Sequence, residues 1–578
     1  MFYKGIIFDL DNTLYNYTEC HENALNKVFD HIAENHFIKK ETLQKIYDKI
    51  SIQVKYELGG TASSHNKTIY FKHIVEELNL DFYIVYTLQK IYWKTFLEEI
   101  IEFEGVTQFI RWNRTLGIKI GILTDYETEY QIQKLQRLYI LKYIDVIVTS
   151  EEVGIEKPSV QMFQTILQKM NLRNDEVIMI GDSYHKDIKG AQNMDILSYW
   201  YTQEKQATRS NEPIPSITIP FSSWIELYKQ FKEINMHLEN LATLSRYVGE
   251  RFDLVQGGGG NSSVKQKDWL FIKSSGISMS NISTTDGYTI INNRDLIEDI
   301  GNSQEKDVMN YTVMKQTRSS IETYMHSILK KYTIHLHPIQ VNRILITTDA
   351  RSTITKLFPE TDILIIDYFT PGSKVCNEIK KLYKNENIIF LLNHGVIITA
   401  DNYNDIYKYL NYVITTIERE FIHDASQSLI ENILDLTRYK YTNTISKYIY
   451  DKYNIQTITY LCENKTIDTI LKTNPELFKE PHTFPDELIY CGIKIACIDK
   501  LEDIDELYAL YQELPKIIII DNYIYIMCHS LSKCREIEEV LLSTLLIKYN
   551  VINKNFLSPD EICFLNNWDA EKYRQLIK

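Results

Sequence analysis

Residues 5–15 read GIIFDLDNTLY. The apolar, β-branched opening predicts a buried strand of the parallel type, ending in Asp9-Leu10-Asp11-Asn12-Thr13. Open α/β sheets bind ligands at the carboxyl ends of their strands, so both acids stand where chemistry is done. Two carboxylates one residue apart on a turning backbone divide the labour of phosphoryl transfer. One attacks phosphorus and the other moves a proton to or from the leaving oxygen.

Three further pieces follow in order. GIKIGILTD (117–125) predicts a strand ending at Thr124. EEVGIEKPS (151–159) sets Lys157 before a proline expected to start a helix. EVIMIGDSYHKDIKGA (176–191) predicts a strand ending at Asp182, with Asp187 five residues on. Together the four pieces resemble the motifs of the haloacid dehalogenase-like hydrolases, across residues 1 to about 233. The resemblance implies Asp9 as nucleophile, Asp11 as general acid/base, and Thr124 and Lys157 as holders of the phosphoryl oxygens. It also implies Mg²⁺ held by Asp9, the Asp11 carbonyl and Asp182, with Asp187 in support. Asp11 favours phosphatases over dehalogenases, which lack that second acid. Asp125 stands where the family more often has Asn. A charged phosphoryl group needs a cation clamp, which Lys157 and Mg²⁺ would supply.

Between the first two motifs, residues 16 to about 100 carry apolar residues at helical spacing, as in ALNKVFDHIAENHF and TLQKIYWKTFLEEI. This insertion resembles the helical cap of the same superfamily, with LGGTASSHN (58–66) as its loop. QEKQATRSNEPIP (203–215) reads as a polar, turn-rich tract. SITIPFSSWIELYKQF after it predicts a strand and a helix, which places a domain boundary near 233.

The larger half is organised by RSSIETYMHSILKKYTIHLH (318–337). His335 and His337 alternate with Ile334 and Leu336, so a strand points both imidazoles to one face. With His394 from IIFLLNHGVII they form a candidate divalent-metal site that keeps a position open for substrate. Glu322, at a helix start just ahead, is the candidate general base. GGGGNSSVK (257–265) is not a Walker loop, because its spacing and ending are wrong. These segments, with IKSSG (272–276), SSIETYMH (319–326), HLHPIQVN (335–342) and NHG (393–395), resemble the class II aldolase/adducin family over residues 238 to 430. That resemblance implies zinc on the three histidines and a phosphate pocket of Asn261, Ser275, Gly276, Ser319 and Ser320. Such a pocket would surround phosphate with hydroxyls and backbone N–H groups, without a bulky cation. It further implies a homotetramer with sites between subunits.

Residues 431–578 carry no catalytic motif. FPDELIYCGIKIACI and the segment 513–546 read as strands followed by a helix. FPDELIYCG and the tail FLSPDEICFLNNWDAEKYRQ resemble the carboxyl region of the aldolase half of rhamnose-utilisation aldolase/dehydrogenases. No Gly-x-Gly-x-x-Gly follows a strand, so a dehydrogenase half is not expected in these residues.

Composition sets outer bounds. At 578 residues, 44% hydrophobic, the chain is too long for one ordinary domain and rich enough for several cores. A formal charge of −14, without a Lys/Arg cluster, excludes a nucleic-acid surface of the usual kind. The longest apolar runs, such as IIII at 517–520, are far too short for a bilayer. Eight cysteines without a Cys-x-x-Cys pair exclude a zinc ribbon or dithiol motif. The first residues run straight into a strand, leaving no room for a signal peptide, so a cytoplasmic protein with reduced thiols is expected. The expected architecture is α/β: a Rossmann-like haloacid dehalogenase fold with helical cap (1–233), a class II aldolase fold (234–430) and an α/β extension (431–578). The expected function is a bifunctional sugar-phosphate enzyme, joining a Mg²⁺ phosphatase to a zinc aldolase that cleaves or forms a ketose 1-phosphate. The alternatives are a dehydratase/enolase-phosphatase fusion of the methionine-salvage kind and a non-catalytic, adducin-like scaffold.

Overall fold

Six short strands build the first sheet: β1 (Gly5–Phe8), β2 (Lys119–Thr124), β3 (Val146–Thr149), β4 (Val177–Gly181), β5 (Leu197–Tyr201) and β6 (Thr218–Phe221). They pair in parallel throughout, in the order β3-β2-β1-β4-β5-β6. The computed structural model describes residues 1–202, 218–300, 307–314, 317–359, 362–421 and 441–567. The polar tract 203–215, the first residues of the expected extension and the last of the tail lie outside them. The chain divides into two compact units, one from Met1 to Met236 and one carried by the chain from His237 onward.

In the first unit β1 is buried along its whole length, between β2 and β4. Phe8 is in register with Ile122 on one side and Ile180 on the other. The residues just beyond these strands, and Thr124 at the end of β2, therefore share one edge of the sheet. Ile7, Leu123, Phe163 and Met179 close the core behind it. Between β1 and β2 the chain forms the helices Tyr17–His36, Lys40–Leu58, Lys67–Glu77 and Tyr83–Glu99. The first starts where the Asn16 side chain accepts the Glu19 N–H at 3.2 Å. It buries Cys20, Ala24, Leu25, Val28, Phe29 and Ile32, the stripe its periodicity predicts.

In the second unit eight strands form a mixed sheet: β7 (Asn261–Gln266), β8 (Trp269–Lys273), β9 (Tyr288–Asn292), β10 (Thr312–Met314), β11 (Tyr332–Leu336), β12 (Ile363–Ile366), β13 (Ile388–Leu391) and β14 (Gly395–Ala400). Their order is β10-β9-β8-β7-β11-β14-β13-β12. β11 is central and antiparallel to both neighbours, with His335 opposite Asn261 on β7 and Ile397 on β14. A smaller sheet follows, of β15 (Ile458–Leu461), β16 (Ala496–Cys497), β17 (Ile517–Ile520) and β18 (Tyr523–Cys528), in the order β15-β18-β17-β16.

Three local expectations change. Pro485–Cys491 is a helix rather than a strand: Pro485 opens it, Asp486 and Glu487 lie in its first turn, and Gly492 ends it. It packs through Ile489, Tyr490 and Cys491 against Ile537, Val540 and Leu541 of the helix Leu531–Lys548. The helices read on either side of residue 233 are one, Trp224–Gly249, because nothing in Lys232–Met236 breaks it. The helix after Lys157 begins at Val160 rather than at the proline, with the Ser159 hydroxyl as its cap. All eight cysteines are free thiols. No described helix is long and apolar enough to cross a membrane.

Candidate functional site

The carboxyl edge of the first sheet gathers the residues singled out in its four motifs. Asp9 follows β1 and Asp182 follows β4; one oxygen from each, and one from Asp187, lie within 4.8 Å of one another. The Thr13 hydroxyl sits 2.8 Å from Asp9 Oδ2 and 3.2 Å from Asp182 Oδ1. Lys157 Nζ donates to Asp9 Oδ1 at 2.5 Å, Asp187 Oδ1 at 2.7 Å and the Leu123 carbonyl at 3.0 Å. Gly181 makes the corner possible: a Cβ there would meet Asp187 Oδ2 at 2.4 Å. Burial, with Asp187 adding and Lys157 opposing, pushes the Asp9 carboxyl up to about 7. Burial and the same two acids raise Asp182 well above the carboxylate range. Three carboxylates this close in a dry corner call for a cation, and their oxygens suit Mg²⁺.

The Asp11 side chain turns away from this cluster. It accepts from Lys134 Nζ at 2.9 Å on both oxygens, from Tyr15 Oη at 2.5 Å and from Gln131 Nε2 at 3.2 Å. Lys134 is fully buried under four aromatic rings. Neither Lys134 nor Gln131 was singled out in the sequence. Their spacing from Thr124 on the following helix was the only signal, and it reads as ordinary helix. Thr124 Oγ1 accepts from Gln131 at 2.5 Å. Asp125 accepts the Lys157 N–H at 3.0 Å and Lys186 Nζ at 2.8 Å, so the carboxylate is fully engaged where an amide is commoner. The cavity over these groups is about 290 Å³, and the inserted helical segment contributes Tyr17 and His65 to its wall.

The second site forms where β11 meets β14. His335 ends near His337 and His394, with ring centroids 4.9 and 4.6 Å from it. One ligand atom of each lies within 4.8 Å of the others. Glu322, just ahead of the helix Thr323–Ile328, accepts from His335 Nδ1 at 2.8 Å and lies 3.3 Å from His394 Nε2. It also accepts from Asn261 Nδ2. His335 Nε2 and His337 Nε2 are buried without a hydrogen-bond partner. Buried imidazole nitrogens left unpaired are costly unless a ligand takes them, so the set fits zinc. Burial and then His335 lower His394 to about 3, which keeps its imidazole neutral, as a metal ligand must be. Burial alone would raise Glu322, but His335, with His394 and His337, outweighs it and holds the carboxylate ionised.

Asn261, Ser275, Gly276 and Ser320 line one small cavity with Glu322, His337 and His394; its volume is about 30 Å³. Ser319 does not line it, and instead faces an adjoining cavity of about 460 Å³ with Arg318, Ser320 and Lys374. The pocket is not free of cations: Lys273 lines it, buried, donating to the Ile277 carbonyl at 2.7 Å. Asp486 is another residue the sequence did not flag. Its Oδ2 lies 2.8 Å from His337 Nδ1, and its helix supplies Pro485 and Ile489 to the same wall.

Comparisons with known proteins divide the chain in the same way. Residues 6–200 match the family model described as haloacid dehalogenase-like hydrolase, and residues 239–420 match the class II aldolase and adducin N-terminal domain. The first part is similar to a ribulose-1,5-bisphosphate 5-phosphatase of Halopiger xanaduensis, 31% identical over 36% of this chain and 88% of the relative. It is also similar to a glyceraldehyde 3-phosphate phosphatase of Methanocaldococcus jannaschii, 27% identical over 40% of this chain and 99% of the relative. The second part is similar to the N-terminal class II aldolase domain of a conserved Thermoplasma acidophilum protein, 24% identical over 32% of this chain and 93% of that structure, with a TM-score of 0.30. The chain therefore belongs to the haloacid dehalogenase-like hydrolases through its first part, and its second part, residues 239–420, matches the class II aldolase and adducin N-terminal domain.

Proposed function

We propose that this chain is a bifunctional sugar-phosphate enzyme: a Mg²⁺-dependent phosphatase on Asp9 and a zinc-dependent aldolase on the three histidines. The observation that carries it is the contrast between the two centres. One collects three carboxylates and a lysine, and the other three imidazoles beside an ionised glutamate.

In the phosphatase, Asp9 attacks phosphorus and Asp11 moves the proton at the leaving oxygen, while Lys157 and Thr124 hold the phosphoryl oxygens. Asp9, Asp182 and the Asp11 carbonyl would hold Mg²⁺, with Asp187 in support, and the ion would neutralise charge on the phosphoryl group. The substrate class is a small phosphorylated sugar, as the names of the phosphatase relatives suggest.

In the aldolase, His335, His337 and His394 would hold zinc, a Lewis acid toward the substrate carbonyl. Glu322 takes the proton from the carbon beside that carbonyl. Asn261, Ser275, Gly276 and Ser320 orient the phosphate so that this carbon faces the base. Lys273 adds positive charge to that side of the pocket. The cavity of about 30 Å³ has room for a water-sized group beside Glu322, His337 and His394. Convergence of all three imidazoles speaks against a scaffold.

The deciding test is deprotonation. In Glu322→Gln, zinc should remain while exchange of the dihydroxyacetone phosphate α-proton falls by ~10²-fold or more. A wild type that binds zinc yet never exchanges that proton would favour a dehydratase on the same ligands. Wild-type exchange in the variant would remove Glu322 as base. Asp9→Asn should separately abolish Mg²⁺-dependent ester hydrolysis.

A further inference from the structure

The histidine centre draws on the C-terminal segment, which carries no catalytic motif of its own. Asp486 lies 149 residues beyond His337, yet its carboxylate meets His337 Nδ1 at 2.8 Å, with both side chains buried. A carboxylate only accepts, so the proton of that imidazole sits on Nδ1 and Nε2 presents its lone pair to the centre. His337 Nε2 has no hydrogen-bond partner. His335 is arranged in the same manner, with Glu322 behind Nδ1 and an unpaired Nε2.

The rest of the same helix fastens it to the site. Tyr490 Oη accepts the Gly258 N–H at 2.9 Å, and Glu539, on the helix behind, accepts the Gly257 N–H at 2.9 Å. Gly259 leaves room for the arrangement, since a Cβ there would meet Asp486 Oδ2 at 2.8 Å and His337 Nδ1 at 3.3 Å. Two glycine N–H groups of the 257–260 turn are thus engaged by the C-terminal segment.

We propose that Asp486 is a positioning residue of the histidine centre: it locks the tautomer and ring orientation of His337, so that the C-terminal segment completes the metal site of its own chain. The proposal rests on the reading of His335, His337 and His394 as zinc ligands. Outer partners of ligating histidines typically contribute 10–100-fold in metal affinity.

The test is zinc affinity by chelator competition on the full chain, together with the visible spectrum of the cobalt(II)-loaded protein. Asp486→Ala should bind zinc ~10–100-fold more weakly, with altered cobalt bands. Asp486→Asn, which can still accept from Nδ1–H through its amide oxygen, should recover part of that loss. Circular dichroism checks that both variants fold. If Asp486→Ala is folded and binds zinc with wild-type affinity and unchanged bands, Asp486 has no positioning role and the proposal fails alone. If the wild type binds no zinc, or His335→Ala binds it equally well, the metal-centre reading fails and the proposal falls with it. Should Asp486→Ala not fold, Asp486→Asn decides: a measurable loss of zinc affinity with altered cobalt bands supports the proposal, and wild-type affinity with unchanged bands overturns it.

Discussion

Replacing Lys157 by methionine tests the phosphatase site most directly, because its ammonium touches both Asp9 and Asp187. Methionine keeps the length of the side chain and removes the charge. A phosphoryl oxygen carried on Asp9 would lie roughly 4 Å from Nζ, where a unit-charge pair at an effective dielectric of about 20 is worth ~4 kcal/mol. That corresponds to a fall of about 10³ in kcat/KM, which compares the transition state with free enzyme and substrate. Metal affinity should move the other way, because Asp9, Asp182 and Asp187 lose a neighbouring positive charge. Lys157 also opposes the upward pull of burial on Asp9, so its loss should shift the acid limb of the pH–rate profile to higher pH. The assay is hydrolysis of glyceraldehyde 3-phosphate and of p-nitrophenyl phosphate across a Mg²⁺ titration. Activity within ~10-fold of wild type, or full rescue by added Mg²⁺, would refute the clamp assignment.

Lys134→Met should cost an alkyl phosphate ester at least ~10-fold in kcat but p-nitrophenyl phosphate much less, since that leaving group needs little proton transfer; equal losses would deny that Lys134 acts through Asp11. Gly395→Ala should weaken zinc binding by at least ~10-fold, because the new Cβ would lie 2.4 Å from the Leu336 carbonyl and 3.1 Å from His335 Nε2; equilibrium dialysis reads it. Burial would raise the Glu487 carboxyl, but Lys548 and His482 outweigh it and bring it from 4.5 to about 2. Its stabilisation, on the order of 3 kcal/mol, is therefore present above pH 4.5 and lost as pH falls through about 2. Hydrogen exchange in Leu531–Lys548 should show wild type more protected than Glu487→Gln at neutral pH, with the gap closing toward pH 2; a pH-independent gap would contradict the assignment. Light scattering should find an oligomer, with a tetramer as the expectation from the aldolase family, and a monomer at working concentration would count against it.

The sequence by itself determined the local backbone geometry on which the candidate groups sit. A β-branched run ending in Asp-x-Asp, and imidazoles alternating with Ile and Leu, carry their own backbone geometry. The placement of Asp9 and Asp182 just past strand ends, and of His335 and His337 at the end of one strand, was legible for that reason. The amphipathic helices of residues 17–99 were legible likewise, since one face of each had to be buried. The helix at Pro485 could have been found too, because proline followed by two acids is a helix-start signal. The tertiary structure alone decided which charged side chains leave water. Lys134 and Asp486 each look like a solvated residue on a polar face, and nothing within a few residues marks them otherwise. Each is buried because a partner distant in sequence, Asp11 or His337, is brought to it by the packing of separate elements. A buried charge is tolerated only where such a partner exists. That condition is set by the fold as a whole, and no window of sequence contains both halves of it.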